Sequence, residues 1–203
     1  MLMKTKISNW RRKSLRLEGY DYSQAGTYYI TICTFLRKPF FGHLENAKII
    51  LSSVGAIACK YWKKIPNHFQ HADVDVFIII PNHIHGLIQI SDENKNVVAE
   101  HVQPENNDSK ISGSIGSIIR QYKGSVTRWC KRNHYPDFKW QNNFYEHIVR
   151  NEKELNRIRQ YIITNPLKWE YDRDNVASIN FDMDLDEYYK DIYEHKAFLG
   201  STC

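Results

Sequence analysis

Val74-Asp75-Val76-Phe77-Ile78-Ile79-Ile80-Pro81-Asn82-His83-Ile84-His85-Gly86-Leu87-Ile88-Gln89-Ile90 holds two runs of β-branched and apolar residues around a Pro-Asn turn. Such a pattern reads as two antiparallel strands. The first run, residues 74–80, is the strongest strand signal in the chain. Its nearly continuous apolar end predicts burial on both faces and a central place in a sheet. The second strand returns from His85 to Ile90. Upstream, residues 27–34 (TYYITICT) suit another strand, and Phe40 and Phe41 before Gly42, followed by Ala47 to Leu51, suit a short hairpin. From Ser52 or Ser53 as N-cap, Val54, Ile57, Ala58, Tyr61, Trp62 and Ile65 recur at helical spacing until Pro66.

Downstream, residues 91–113 are polar and aperiodic and read as a mobile loop. A long helix is expected from about Ser114 to Asn133, with Ile115, Ile118, Ile119, Tyr122, Val126 and Trp129 on its apolar face. Arg120, Lys123, Lys131 and Arg132 lie on the opposite face, with Arg128 at its margin. A short strand is expected within residues 138–145. A last helix starts from Asn151, with Glu154 at the capping-box spacing and Leu155, Ile158 and Ile162 as its stripe. The order β-α-β-β-α-β followed by a helix is the split βαβ pattern. It predicts an α+β, ferredoxin-like antiparallel sheet with helices on one face.

The chain has 203 residues, 42% hydrophobic and 25% charged. That excludes wholesale disorder and collagen-like or membrane chains, and with no signal-peptide core the default is a cytoplasmic protein. Cys33, Cys59, Cys130 and Cys203 form no CxxC pair, which argues against thiolate zinc sites and a disulfide framework. The formal charge of +5 is unevenly placed. Residues 1–20 form a basic arm in which Lys4, Lys6, Arg11, Arg12, Lys13 and Arg16 face a single acid, Glu18. Residues 21–170 form the body, also basic, and residues 171–203 form an acidic tail. This division favours a polyanion partner over a small-molecule substrate, although a solvated arm is the plainer alternative.

His83-Ile84-His85 is the sharpest local feature. On an extended segment residues two apart share a face, so both imidazoles can converge on one cation while Ile84 turns into the core. A structural histidine pair fits the same pattern. Tyr161 and Asn165, four apart near the end of the last helix, can address one site. By itself a tyrosine there is most often a core-edge residue.

Together, PNHIHGLI (81–88), GSIIRQYK (116–123), WQNNFYEHIVR (140–150), YIITNP (161–166) and the opening RLEGYDYSQAGTYYITICT (16–34) resemble the single-tyrosine HUH transposases. More narrowly, they resemble the REP-associated tyrosine transposases, over about residues 10–172. The resemblance implies that His83 and His85, completed by Asn165, bind a divalent metal, Mg²⁺ or Mn²⁺, at a scissile phosphate. It also implies that Tyr161 attacks phosphorus to give a 5′-phosphotyrosine link and a free 3′-OH, which a later 3′-OH reverses without ATP. The implied partner is single-stranded DNA with imperfect, repetitive extragenic palindrome-like hairpins, handled by a monomer or homodimer. Lys and Arg of the arm, Trp10 by stacking on a base, and Arg120, Lys123, Arg128, Lys131 and Arg132 are the candidate DNA contacts. The alternatives are a hairpin-DNA-binding protein without turnover and an HUH replication initiator or relaxase.

Overall fold

The structure is a computed structural model that describes residues 19–92 and 113–178. Four antiparallel strands form the main sheet: β1 (Gly26–Cys33), β4 (Ala72–Ile80), β5 (His83–Ile90) and β6 (Tyr145–Val149), in the order β4-β5-β1-β6. That order is the ferredoxin-like arrangement expected from the sequence. β1 pairs with β5 from Gly26↔Ile90 to Cys33↔His83, and on its other edge with β6. The expected hairpin forms a separate ribbon, β2 (Gly42–Glu45) and β3 (Lys48–Leu51). Its turn residues Asn46 and Ala47 have φ of 50° and 58°, as the right-handed strand twist demands of a two-residue loop.

Four helices complete the described fold: α1 (Ser53–Lys63), the single turn α2 (Ile65–His68), α3 (Ile115–Arg132) and α4 (Glu152–Thr164). Their starts follow the capping residues. Ser52 Oγ accepts the Gly55 N–H at 3.1 Å, Ser114 Oγ that of Ser117 at 3.3 Å, and Asn151 Oδ1 that of Glu154 at 2.9 Å. Each such cap satisfies a backbone donor that the first helical turn leaves unpaired. None of the described helices is long and apolar enough to cross a membrane.

Strand alternation divides the core in two. Tyr28, Ile30 and Ile32 of β1 with Ile84 and Ile88 of β5 pack against Val54, Ala58 and Trp62 of α1 and Ile118, Tyr122 and Val126 of α3. Tyr29 and Leu87 face the other way, against Leu155, Ile158 and Ile162 of α4. The expected single helical face therefore holds for α1 and α3, while α4 crosses the opposite face.

Two strand expectations are corrected. β4 lies at the sheet edge, not at its centre. Its apolar run reports two covered faces, with Phe77 and Ile79 on the larger core and Val76 and Ile78 on the smaller one, which says nothing about pairing on both edges. A register shift between Val74 and Phe77 and the ion pair of Asp75 with Arg159 of α4, at 2.8 Å, blunt that edge. The last strand is Tyr145–Val149 instead of a stretch within 138–145. Phe138 and Trp140 meet edge-on and both pack at a tilt against Phe41 in the core, so their aromatic character reflects packing.

Gly86 lets Trp62 lie across β5. A Cβ at this position would overlap Trp62 Cζ2 and come within 3.0 Å of Phe77 Cβ. Gly86→Ala is expected to cost about 1–3 kcal/mol by overpacking, read as a lowered chemical-denaturation midpoint. An unchanged midpoint would mean that the indole can move aside.

Candidate metal centre and active site

β5 turns Ile84 into the larger core and points His83 and His85 to the α4 side, where both are 0% exposed. Their Nε2 atoms lie 2.9 Å apart. The hydrogen-bond network decides which nitrogens carry protons. Asn82 Nδ2 donates to the carbonyls of Arg37 (3.1 Å) and Asp174 (2.7 Å), so Asn82 Oδ1 is the acceptor that faces His83 Nδ1 at 2.8 Å. His83 therefore carries its proton on Nδ1 and presents a bare Nε2 lone pair. His85 Nδ1 lies 2.8 Å from both Tyr29 Oη and Thr31 Oγ1. Hydroxyls donate or accept, so His85 has two tautomers. One donates Nε2–H to His83; the other offers a second lone pair to a shared cation.

Tyr161 Oη stands 3.3 Å from His85 Nε2 and 3.4 Å from Asp172 Oδ2, with its ring edge-on to His85. One helical turn on, Asn165 is buried. Its Nδ2 donates to Asp172 Oδ2 at 3.0 Å, while its Oδ1, also buried, has no hydrogen-bond partner among the described residues. An unsatisfied buried oxygen costs roughly 1–3 kcal/mol unless something is bound to it. His83 Nε2 lies 3.9 Å from Asp172 Oδ2, and ligand atoms of His83, His85 and Asp172 all fall within 4.8 Å of one another. Two imidazoles, a carboxylate and an amide oxygen suit a divalent ion such as Mn²⁺ or Mg²⁺, and the orphaned Asn165 oxygen fits that use.

The residues missed in the sequence come from the start of the acidic segment. A 3-10 turn, Asn165–Tyr171, folds the chain back so that Asp172, Arg173, Asp174 and Asn175 are buried beside the histidines. Trp169 stacks on His83, with ring centroids 5.9 Å apart. Asp174 pairs with Arg37 Nε at 2.8 Å. Burial works against the Asp174 carboxylate, but His83, Arg37 and Arg173 together hold it down at about 2. Asp172 goes the other way, raised by burial and then by the neighbouring Asp174. Averaged into a net-acidic tail, these two aspartates gave no sequence signal of their own.

Burial lowers His83 to about 4, and burial followed by the proximity of His83 lowers His85 to about 3. Both are neutral at pH 7, the form that ligates metal. In the unfolded chain histidine protonates near pH ~6.5, so between about pH 6.5 and 4 the unfolded state binds more protons and stability falls as pH falls. Asp172, with its raised carboxyl, pulls in the opposite direction. Two histidines displaced this far outweigh it, at ~1.4 kcal/mol per pH unit and group. Without added metal, the protein is expected to lose a few kcal/mol between pH 7 and pH 4.5. Equal melting temperatures at the two pH values would contradict burial of the neutral pair.

The candidate DNA contacts divide differently. Arg120, Arg128, Lys131 and Arg132 are exposed on α3, but α3 covers the sheet face opposite the histidines. Lys123 differs from them. Its Nζ donates to the carbonyls of Gln141 (2.8 Å) and Asn143 (2.9 Å) beneath Trp140, and burial lowers it to about 8, so it braces a loop instead of presenting a phosphate contact. Lys4, Lys6, Trp10, Arg11, Arg12, Lys13 and Arg16 lie outside the described residues, as do most of the 91–113 loop and residues 179–203.

No protein-family model matches the chain. An uncharacterised Haemophilus influenzae protein is 38% identical over 165 residues, which cover 80% of this chain and 92% of that protein. A second Haemophilus influenzae protein, which carries the name REP-associated tyrosine transposase, is 26% identical over 171 residues, 81% of this chain and 79% of its own. A solved structure of a REP-associated tyrosine transposase bound to a REP hairpin shares the fold, with a TM-score of 0.51 over 76% of this chain and 74% of that one at 18% identity. Relatives that span most of both chains, one of them a transposase by name, agree with the shared fold: the chain belongs to the family of REP-associated tyrosine transposases.

Proposed function

We propose that the protein is a metal-dependent single-stranded DNA endonuclease and strand transferase that acts at repeat hairpins through a 5′-phosphotyrosine intermediate. The observation that carries this reading is the placement of the Tyr161 hydroxyl against His85 and Asp172, where a second neutral imidazole, His83, and an amide oxygen unpartnered among the described residues also meet. His83, His85, Asp172 and Asn165 would hold the divalent ion. When bound, that ion supplies positive charge where negative charge accumulates on the phosphate.

Tyr161 is the nucleophile. A phenol with pKa ~10 is mostly protonated at neutral pH and must lose its proton as it attacks; Asp172 Oδ2, 3.4 Å away, is an acceptor in reach. The tyrosine oxygen forms a bond to phosphorus, and the bond to the 3′ oxygen breaks, releasing a 3′-OH strand. Attack by another 3′-OH reverses the exchange. One phosphodiester is exchanged for another, so no nucleotide cofactor is needed.

The solved family structure with a REP hairpin supports hairpin DNA as the partner. The assay is a denaturing gel of the protein with labelled single-stranded hairpin DNA and Mn²⁺. A slow-migrating covalent band is expected, and tight binding without that band in Mn²⁺ or Mg²⁺ would leave a hairpin-binding protein without turnover. The basic arm is proposed to grip the backbone. Deleting residues 1–20 is expected to reduce the slope of log affinity against log salt by up to about five, from ~0.7–0.9 per phosphate contact. An unchanged slope would make the arm a solvated leader.

A further inference from the structure

Residues Thr34 to Lys38, which follow β1, carry a strained apolar tip. Leu36 and Arg37 have φ of 54° and 50°. Two consecutive side-chain-bearing residues in the left-handed region are unfavourable, and such strain persists only where the surroundings over-determine it. The tip faces solvent, with Phe35 45% and Leu36 69% exposed, so apolar burial within the described fold does not explain it.

The supports of this tip are those of the candidate centre. Thr34 N–H donates to the Asn82 carbonyl at 2.8 Å, its hydroxyl lies between the carbonyls of Lys38 (2.7 Å) and Asn82 (3.0 Å), and Asn82 Nδ2 donates back to the Arg37 carbonyl at 3.1 Å. The same Asn82 sets the proton on His83. Arg37 is anchored to Asp174, and Phe35 N–H donates to the Lys139 carbonyl at 2.8 Å. Cys33 is the strand partner of His83, which places Phe35 and Leu36 two and three residues beyond it. At ~3.3 Å per residue the tip lies within about 10 Å of His83 along the strand, whereas His85 pairs with Thr31, two residues further back. Lys38 follows Arg37 in the chain, Lys139 holds the Phe35 N–H through its carbonyl, and both are exposed. An apolar surface with two exposed lysines on its supporting segments, joined through Asn82 and Arg37 to the candidate centre, matches a nucleobase and its adjoining phosphates.

We infer that Phe35 and Leu36 form a nucleobase contact that holds an unpaired base of the single strand within a few nucleotides of the scissile phosphate. The inference rests on the proposed handling of DNA at this site and adds the residues that grip the strand beside it.

The test uses the full chain and the hairpin oligonucleotide of the adduct assay, with 2-aminopurine and, separately, an abasic site moved through its single-stranded flanks. The variants are Leu36→Asn, in which Asn tolerates the left-handed backbone while the apolar surface is lost, and Phe35→Ala/Leu36→Asn. The wild type is expected to change 2-aminopurine fluorescence at one flank position in metal-free buffer. The double variant is expected to lose that change and to bind on the order of tenfold more weakly. An abasic site at that position should remove the difference between wild type and variant, because the two losses are one contact. Thermal melting of Leu36→Asn at or above the wild-type temperature shows that the fold is kept. If no position responds, or if the variants respond like the wild type, the inference is overturned even where the adduct forms. If the fluorescence effect is lost in the variants but the wild type forms no adduct in Mn²⁺, the base contact stands and the nuclease reading fails.

Discussion

Tyr161→Phe is expected to abolish the covalent protein–DNA adduct, a loss of at least about a thousandfold, while hairpin affinity changes by less than about twofold. The substitution removes only Oη, the one oxygen placed 3.3 Å from His85 Nε2 and 3.4 Å from Asp172 Oδ2. The ring keeps its edge-on contacts with His85 and Tyr29, at 5.2 and 6.4 Å between centroids, so the packing of α4 on the sheet is retained. Tyr29 cannot substitute for it, because that ring is fully buried and its hydroxyl is engaged with His85 Nδ1. Adduct yield on a denaturing gel and affinity by anisotropy separate the two effects. Undiminished adduct in the variant would place the nucleophile elsewhere.

His85→Ala is expected to lower Mn²⁺ affinity by about a hundredfold or more and to abolish adduct formation at any practical metal concentration. Removing one of two imidazoles whose Nε2 atoms face each other at 2.9 Å dismantles the bidentate nitrogen pair. Asp172→Asn keeps the size of the side chain but removes its charge, and a tenfold to hundredfold loss of affinity is expected, in the range seen when groups around a metal are altered. Direct binding is followed by the Mn²⁺ electron paramagnetic resonance signal, which does not depend on turnover. Unchanged Mn²⁺ affinity in Asp172→Asn would remove Asp172 from the ligand set and leave His83, His85 and Asn165.

The parts of the fold legible in the sequence are those governed by local periodicity. α1, α3 and α4 begin at the capping residues that mark them, and the two-residue alternation around Ile84 separates its histidine neighbours from the core. The spacing of four places Tyr161 of α4 and Asn165 at its C-cap on one side, where they meet Asp172. Other features depended on long-range packing. The apolar run of β4 was compatible with a centre or an edge, because faces and edges of a strand are satisfied by different neighbours. Lys123 read as a surface cation in its helix but meets two carbonyls from a loop about twenty residues away.

Sequence by itself determined the element order, the pairing of His83 with His85 and the resemblance to a transposase family, because each is written in residues a few positions apart. Only the tertiary structure decided which acidic residues matter. Asp172 and Asp174 look like the start of a solvated tail, yet the 3-10 turn Asn165–Tyr171 carries them to a buried site, where one meets Tyr161 and Asn165 and the other pairs with Arg37, 137 residues away in the chain. Charge counted along a chain averages over neighbours in sequence, whereas the field at a site is set by neighbours in space.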